Sequence, residues 1–437
     1  MDVAIVGAGI TGLAAAISLR RSGHRVTIYE RSSLANEVGA AINVPPNVAR
    51  FLIPWGLDPV RHRFVKTPGM YFMSHETLEP LPAVTDHSRN TELFGAPLFY
   101  AHRVDLVEAL RELATDPSGP GLPAEIHLRS EVRSYDTETP SITLASGAVV
   151  KADLVVAADG VHSIGVEHVL GHPNSSEVPS FPKVNLCYRF LIPKTSVDDD
   201  PDTRFFNEDW RSRGCRLWVD IPGKKRIISY PCRDYEVLNF INIIRDEQVA
   251  SSQEDWLASV DKSEVLDKWS NFHPKLLAVM NKATEVKRWP LLYRPPISTW
   301  HKGRMVLAGD AAHPMLPHHA QGGAQGIEDG LALGLALHGV TDASQVGERL
   351  VLYETIRRGR ASAIQIMSNY GFDEEAPEEL LDFLEGQPIP KSTKEMLQIA
   401  YAPDVVKRTV QVMQDFDPAW QLPDAFFAAA TPAAGEE

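Results

Sequence analysis

Three short stretches of this 437-residue chain carry residues whose type and spacing suit phosphate and ribose chemistry. The first is GAGITG, with glycines at positions 7, 9 and 12. Gly7 permits a tight turn, Gly9 lets the backbone approach a pyrophosphate, and Gly12 lets a helix pack close to the preceding strand. The helix start offers free N–H groups and a partial positive charge to the phosphates. Glu30, 18 positions after Gly12, stands where a carboxylate accepts a hydrogen bond from a ribose 2′-OH and repels a 2′-phosphate. Arg31 follows it and is counted with it among the cofactor contacts. The motif does not distinguish FAD from NAD. The second stretch, DLVVAADG, runs an apolar segment into Asp159-Gly160. The third, MVLAGDAAHPMLPHHAQGG, runs another into Gly309-Asp310 and reaches a glycine-rich helix start at Gly322-Gly323. Taken singly, each dipeptide also suits an ordinary turn, and Asp310 a helix cap.

Such groups need rigid elements to hold them. Residues 3–6 are an unbroken apolar run and predict a buried parallel strand. Leu13, Ile17 and Leu19 among alanines predict a helix to about Arg21, which Gly23 ends. RVTIYE is the next strand, so the unit is βαβ. Residues 39–59 have an extended start, a Pro-Pro break and a short helix, and residues 71–99 suggest hairpin strands. Residues 102–114 predict a helix, and a β-meander then leads into DLVVAAD. Residues 180–245 hold several strand-like segments and predict a separate sheet. Residues 254–284 read as helical, with Trp256, Leu266 and Trp269 in the core, and helices are expected from the end of RMVLAGD through 338 and over 346–370. The fold class expected is α/β. A Rossmann-like nucleotide-binding domain is built from residues 1–70, 100–175 and 286–360. A β-rich substrate domain of residues 71–99 and 176–285 is interleaved with it, and 361–437 form a C-terminal helical segment and tail.

A formal net charge of -14 makes nucleic acid and anionic membranes unfavourable partners. Cys187, Cys215 and Cys232 are too few and too scattered for a disulfide framework or a metal cluster, so no metal is expected and the compartment reads as reducing and cytoplasmic. The N-terminus lacks the basic segment of a signal peptide, and no apolar run is long enough for a transmembrane helix. A monomer or homodimer is expected.

The three motifs, in this order, resemble the fingerprints of the single-component FAD-dependent aromatic hydroxylases, the para-hydroxybenzoate hydroxylase-like family, with salicylate hydroxylase-like members nearest. The similarity runs over nearly the whole chain, through GAAINVPPN, HRVDL, CYRFLIP, SYPCR, RWPLLYRPP and YETIRRGRA. It implies FAD as cofactor and NAD(P)H as a transient reductant, since no second G-x-G-x-x-G unit is present for a nicotinamide dinucleotide. One βαβ unit covers only the ADP half of FAD. The resemblance therefore implies that the late motif holds the rest: Gly309-Asp310 at the ribityl chain, and the Gly322 and Gly323 amides at the flavin ring. A helix start there would stabilise negative charge on the reduced ring. Arg103 matches a cofactor-contacting arginine, and Asp159-Gly160 a motif tied to FAD and nicotinamide access. Ala41 stands where relatives carry a loop glycine, which leaves that contact to backbone.

The reaction implied uses NAD(P)H and O2 to form a C4a-hydroperoxyflavin that hydroxylates a small phenolic or salicylate-like aromatic substrate. Such a site must exclude water and favour the phenolate. Arg189 in CYRF, Tyr230 in SYPCR and His318 after the Pro317 turn are the catalytic candidates. Arg189 would lower a phenol pKa, Tyr230 would hydrogen-bond the phenolate, and His318 would act as a base or edge the pocket. Trp210, Trp218, Trp289 and Trp300 are candidates for pocket walls or for the core. Epoxidation or oxidative dearomatisation in secondary metabolism is the alternative within the family, and a non-oxygenating flavoprotein oxidase or reductase the alternative outside it.

Overall fold

The computed structural model describes residues 1–34, 39–173, 185–245, 259–291, 294–369 and 376–428. Strand β1 (Asp2–Val6) leads through the glycine loop into helix α1 (Ile10–Arg21), and strand β2 (Arg25–Tyr29) returns parallel to β1. Strand β3 (Ala41–Val44) pairs antiparallel with Phe99–His102, directly before helix α2 (Arg103–Thr115). Strand β4 (Leu154–Ala157) lies parallel to β1 on its other side.

An eight-stranded sheet contains strands β5 (Asn185–Pro193), β6 (Lys225–Cys232) and β7 (Val237–Arg245), with β7 between the other two. The chain then returns to the first sheet as strand β8 (Met305–Leu307), parallel to β4. Helix α3 (Gly322–Ala336) and helix α4 (Val346–Met367) follow.

The first sheet thus has the order His301–Lys302, β8, β4, β1, β2, Glu125–His127. Its central strands are apolar on both faces because helices cover both, the arrangement that parallel strands require. Neighbouring β8, β4 and β1 end side by side, so Gly309, Asp159 and Gly7 emerge at one rim. Ligands of open α/β sheets bind at this carboxyl edge.

Gly7 has φ +101, and a Cβ on it would stand 2.5 Å from the Ala158 carbonyl oxygen, so the first two motifs touch through this residue. Helices α1 and α3 lie backbone to backbone. A Cβ on Gly330 would meet the Ala15 nitrogen at 2.5 Å, and one on Gly334 the Ser18 Oγ at 2.0 Å.

The eight-stranded sheet has two dissimilar faces. Leu186, Tyr188, Phe190, Ile227 and Phe240 pack outward against Phe206, Trp218, Trp269 and Phe272. Cys187, Tyr230, Cys232, Ile241 and Ile243 face the nucleotide-binding layers and pack near Ala41, Tyr100, Met315 and Leu316. The edge strand Pro80–Asp86 is exposed, and Pro80 and Pro82 withhold donors from it.

Several elements differ from the sequence expectation. Where one helical region was expected over 254–284, Ser259–Val260 is a strand and two short helices follow, Lys262–Lys268 and Pro274–Met280. Pro274 has no N–H to continue a helix and instead starts one. Trp269 is fully buried and Leu266 partly so, while Trp256 lies outside the described residues. The helical stretch expected from the end of RMVLAGD through 338 begins only at Gly322, the glycine-rich helix start read from the motif. Pro314 and Pro317 break the segment into two 3-10 turns, Gly309–Ala311 and Pro317–His319. Among the described residues no helix is long and apolar enough to cross a membrane, and no cluster of three or more His, Cys, Asp or Glu side chains is arranged for a metal.

Two stability predictions follow from this packing. Burial lowers the pKa of His24, His87, His102 and His319 from 6.5 to about 4, so each is held neutral in the fold. Their contribution is complete above pH 6.5 and drains away as the pH falls toward 4. By this linkage each ring contributes on the order of 1–3 kcal/mol, less for the partly exposed His319. The urea midpoint should fall markedly between about pH 7 and about pH 5; a level midpoint would contradict it. Ala320, between the Pro317–His319 turn and α3, has φ +52, a conformation costly for a residue with a Cβ. Ala320→Gly should stabilise the fold by roughly 0.5–1 kcal/mol, read as a raised midpoint.

Candidate functional site

The glycine loop places its three glycines in different roles. A Cβ on Gly12 would stand 2.0 Å from the Gly7 carbonyl oxygen, so Gly12 serves packing. A Cβ on Gly9 would meet nothing within 4 Å, so its backbone faces open space. Glu30 is anchored at the same rim: its Oε2 accepts from Ala8 N at 2.8 Å and its Oε1 from Ser32 N at 2.7 Å. A cavity of about 240 Å³ opens here, lined by Gly7, Glu30, Arg31, Asp159, Arg133 and His162 among others. Arg133 and His162 escaped the sequence reading. Arg133 comes from a β-meander whose residues form no motif, and His162 follows closely on the Asp159-Gly160 dipeptide without having been singled out.

Asp159 is held from behind. The Tyr135 hydroxyl donates to its Oδ2 at 2.8 Å, and Oδ1 is buried with no hydrogen-bond partner among the described residues. Burial pushes its pKa up, and hydrogen bonds from Ser163 and Tyr135 oppose that. Gly160, with φ +84, turns the chain away, and a Cβ there would meet nothing within 4 Å.

Asp310 sits farther along the same cleft. Its side chain is exposed to the cleft, yet the protein massed around it pushes the carboxyl pKa up, against the charges of His313, Arg103 and Arg294. A Cβ on Gly322 would stand 4.0 Å from Asp310 Oδ1, so this carboxylate lies beside the start of α3. A Cβ on Gly323 would meet Ile42 Cδ1 at 2.9 Å, so β3 closes over that helix start. Arg103 opens α2, its N–H bonded to the Ala40 carbonyl at 2.9 Å.

The residues present suit a long dinucleotide. Open space faces Gly9 and Gly160, a buried carboxylate oxygen lacks a donor at Asp159, and an exposed carboxylate stands beside a helix start.

The catalytic candidates separate into two kinds. Arg189 Nη2 donates to the Ala41 carbonyl at 2.7 Å, and the Tyr230 hydroxyl donates to the same oxygen at 3.2 Å. Asn239 Oδ1 accepts from Ala41 N at 3.3 Å. Both backbone polar groups of Ala41 are therefore engaged by the eight-stranded sheet, which ties that sheet to β3. The Tyr230 ring also stacks on Tyr100 at 4.5 Å, and burial raises its pKa, with Arg189 opposing.

His318 is different. Neither ring nitrogen has a hydrogen-bond partner among the described residues. Burial, then the charges of Arg226 and His319, push its pKa well below the usual value. Arg226 is a further neighbour that the sequence did not single out. Of the four tryptophans, Trp218 and Trp300 lie in separate cores and Trp210 is 60% exposed, so these three do not wall the cleft, while the Trp289 side chain lies outside those described.

Comparison with known proteins agrees with this geometry. A family model described as FAD binding domain matches residues 1–368. The chain is 47% identical over 429 residues to the FAD-dependent monooxygenase cfoG of Aspergillus candidus, covering 98% of each chain. It is 33% identical over 378 residues to hispidin-3-hydroxylase of Neonothopanus nambi, covering 83% of this chain and 86% of that one. A solved salicylate hydroxylase substrate complex superposes with a TM-score of 0.67 at 20% identity, covering 99% of each chain, which shows a shared fold. With its strand-end motifs at one rim and this similarity over nearly its whole length, the chain belongs to the FAD-dependent monooxygenases, the family that includes the aromatic hydroxylases, and FAD is its cofactor.

Proposed function

We propose that the enzyme hydroxylates a small phenolic or related aromatic substrate, with NAD(P)H as electron donor and O2 as oxygen source. The observation that carries this reading is the turn before α3, where Met315 and Leu316 pack against the apolar inner face of the eight-stranded sheet and the buried His318 imidazole has no hydrogen-bond partner among the described residues. The similarity to a hispidin-3-hydroxylase supports an oxygenated ring as substrate. Bound FAD supplies the reduction by NAD(P)H and the activation of O2.

The chain's own residues do the rest. Gly7, Gly9 and Glu30, with Arg31, hold the ADP half, and Arg103, Asp159 and Gly160 line the passage between the halves. Asp310 receives the ribityl hydroxyls. The start of α3 at Gly322-Gly323 meets the ring, where its partial positive charge favours an anionic reduced state. The apolar sheet face keeps water from the reacting atoms. His318, kept neutral because burial and the charges of Arg226 and His319 lower its pKa, accepts the hydrogen bond of a substrate hydroxyl. Arg189 and Tyr230 hold β3 against the sheet and keep the compartment closed.

Asp310→Ala should yield colourless protein, its flavin absorption lost. His318→Ala should retain the yellow colour and NAD(P)H oxidation, but lower coupled hydroxylation about a hundredfold, with hydrogen peroxide in place of product. The measurement is product mass and peroxide across a panel of phenols. Unchanged coupling removes His318 from the chemistry. Arg189→Ala should also keep FAD and lose coupling, through an opened compartment; normal coupling in that variant would refute its tethering role.

A further inference from the structure

Helix α3 is apolar along most of its length, yet it buries two consecutive carboxylates, Glu328 and Asp329, with no exposure. Buried charges are costly unless paired with good geometry, so their partners show what the arrangement serves. Glu328 accepts from Asn47 Nδ2 at 2.7 Å, from Arg357 Nη1 at 2.7 Å and from Arg360 Nε at 2.8 Å. That set joins α3 to α4 and to the short helix Pro46–Leu52. Asp329 divides its two oxygens differently. Oδ1 accepts from Arg357 Nε at 2.8 Å. Oδ2 accepts two donors from the turn around Asp310: Gly309 N at 2.8 Å and His313 Nε2 at 2.6 Å.

That turn is pinned from every inner side. Gly309 has φ +64, and a Cβ on it would strike Thr11 Oγ1 at 2.2 Å, so α1 presses on it from below. The His313 ring lies against Trp300, with centroids 5.0 Å apart, and is fully buried. Between Gly309 and His313, Asp310 alone is exposed. The carboxylate that opens onto the cleft is therefore aimed by a hydrogen-bonded relay it does not itself touch.

We propose that His313 is a positioning residue for the cofactor: by donating Nε2–H to Asp329 it fixes the Gly309-Asp310 turn in register with α3, so that Asp310 and the helix start meet FAD as one rigid unit. The inference rests on the reading of Asp310 as a FAD contact. The sequence signal was the doublet of acids in an otherwise apolar helix, together with the histidine of GDAAH.

The test follows FAD release from the holoenzyme by recovery of flavin fluorescence, with far-UV circular dichroism reporting the fold separately. His313→Phe keeps a ring and removes the donor. It should raise the FAD dissociation constant about tenfold or more, as expected for loss of a hydrogen bond to a charged group, and also lower the unfolding midpoint of the FAD-free protein, because the buried Asp329 loses a donor; affinities are therefore compared where circular dichroism shows both proteins folded. His313→Gln returns an N–H at a similar reach and should bring affinity back to within about threefold of the parent. Should His313→Phe fail to fold, His313→Asn, whose amide falls short of Asp329, takes its place. FAD held as tightly by the donor-less variant as by the parent overturns the proposal, as does a Gln variant no better than Phe. Asp310→Ala separates the two layers. If it keeps FAD, the Asp310 reading itself fails; if it loses FAD while the donor-less His313 variant keeps it, only the relay fails.

Discussion

The contact between α1 and α3 is the constraint on which the site depends. Helices ordinarily pack with their side chains between them, at axis separations of about 8–10 Å. Here Gly330 and Gly334 leave no room for a Cβ against Ala15 and Ser18, and Gly326 has none against Thr11. The two helices therefore meet along their backbones. One begins at the first glycine loop, the other roughly 300 residues later, and their close approach converts two distant motifs into the two ends of one cleft. A larger residue at any of these glycines would separate the two ends of that cleft.

The second sheet depends on that frame. Its inner face needs something to lie against, and β3 supplies it. The Ala41 carbonyl takes hydrogen bonds from Arg189 and Tyr230, strands apart in the same sheet, while Asn239 takes the N–H. The backbone of one residue thus ties a whole sheet to the nucleotide-binding layers. Polar residues on an otherwise apolar face serve here as fasteners. Their usefulness to chemistry is indirect, through the shape and dryness of the compartment they close.

What the sequence revealed follows from which forces are local. Gly7 and Gly12 were legible because a turn and a close approach each demand glycine at a fixed offset. The Gly309-Asp310 and Asp159-Gly160 turns were legible because they end apolar runs. Strand order was not written in any single segment, so the convergence of three strand ends came from resemblance and is explained only by the sheet. Arg189 and Tyr230 were recognisable as polar residues among strand-formers. Their shared partner was not, because Ala41 lies 148 and 189 positions away. The helical pattern after Asp310 was overread. Pro314 and Pro317 outweighed the apolar periodicity, and the resulting turn is what carries His318 to the compartment. Arg133 and His162 reach the cavity from a meander and a loop, where spacing carries no signal.

The three buried cysteines acquire a meaning beside an oxygen-handling centre. Cys187, Cys215 and Cys232 are free, and burial pushes each pKa to about 12. A cysteine thiol is oxidised by peroxide almost entirely as its thiolate. A thiol whose pKa is near 12 is thiolate about once in a hundred thousand molecules at neutral pH. All three belong to the cluster on the inner side of the eight-stranded sheet, the side that faces the FAD-binding layers. The fold thus keeps the three thiols that face the cofactor layers in the protonation state least open to oxidation.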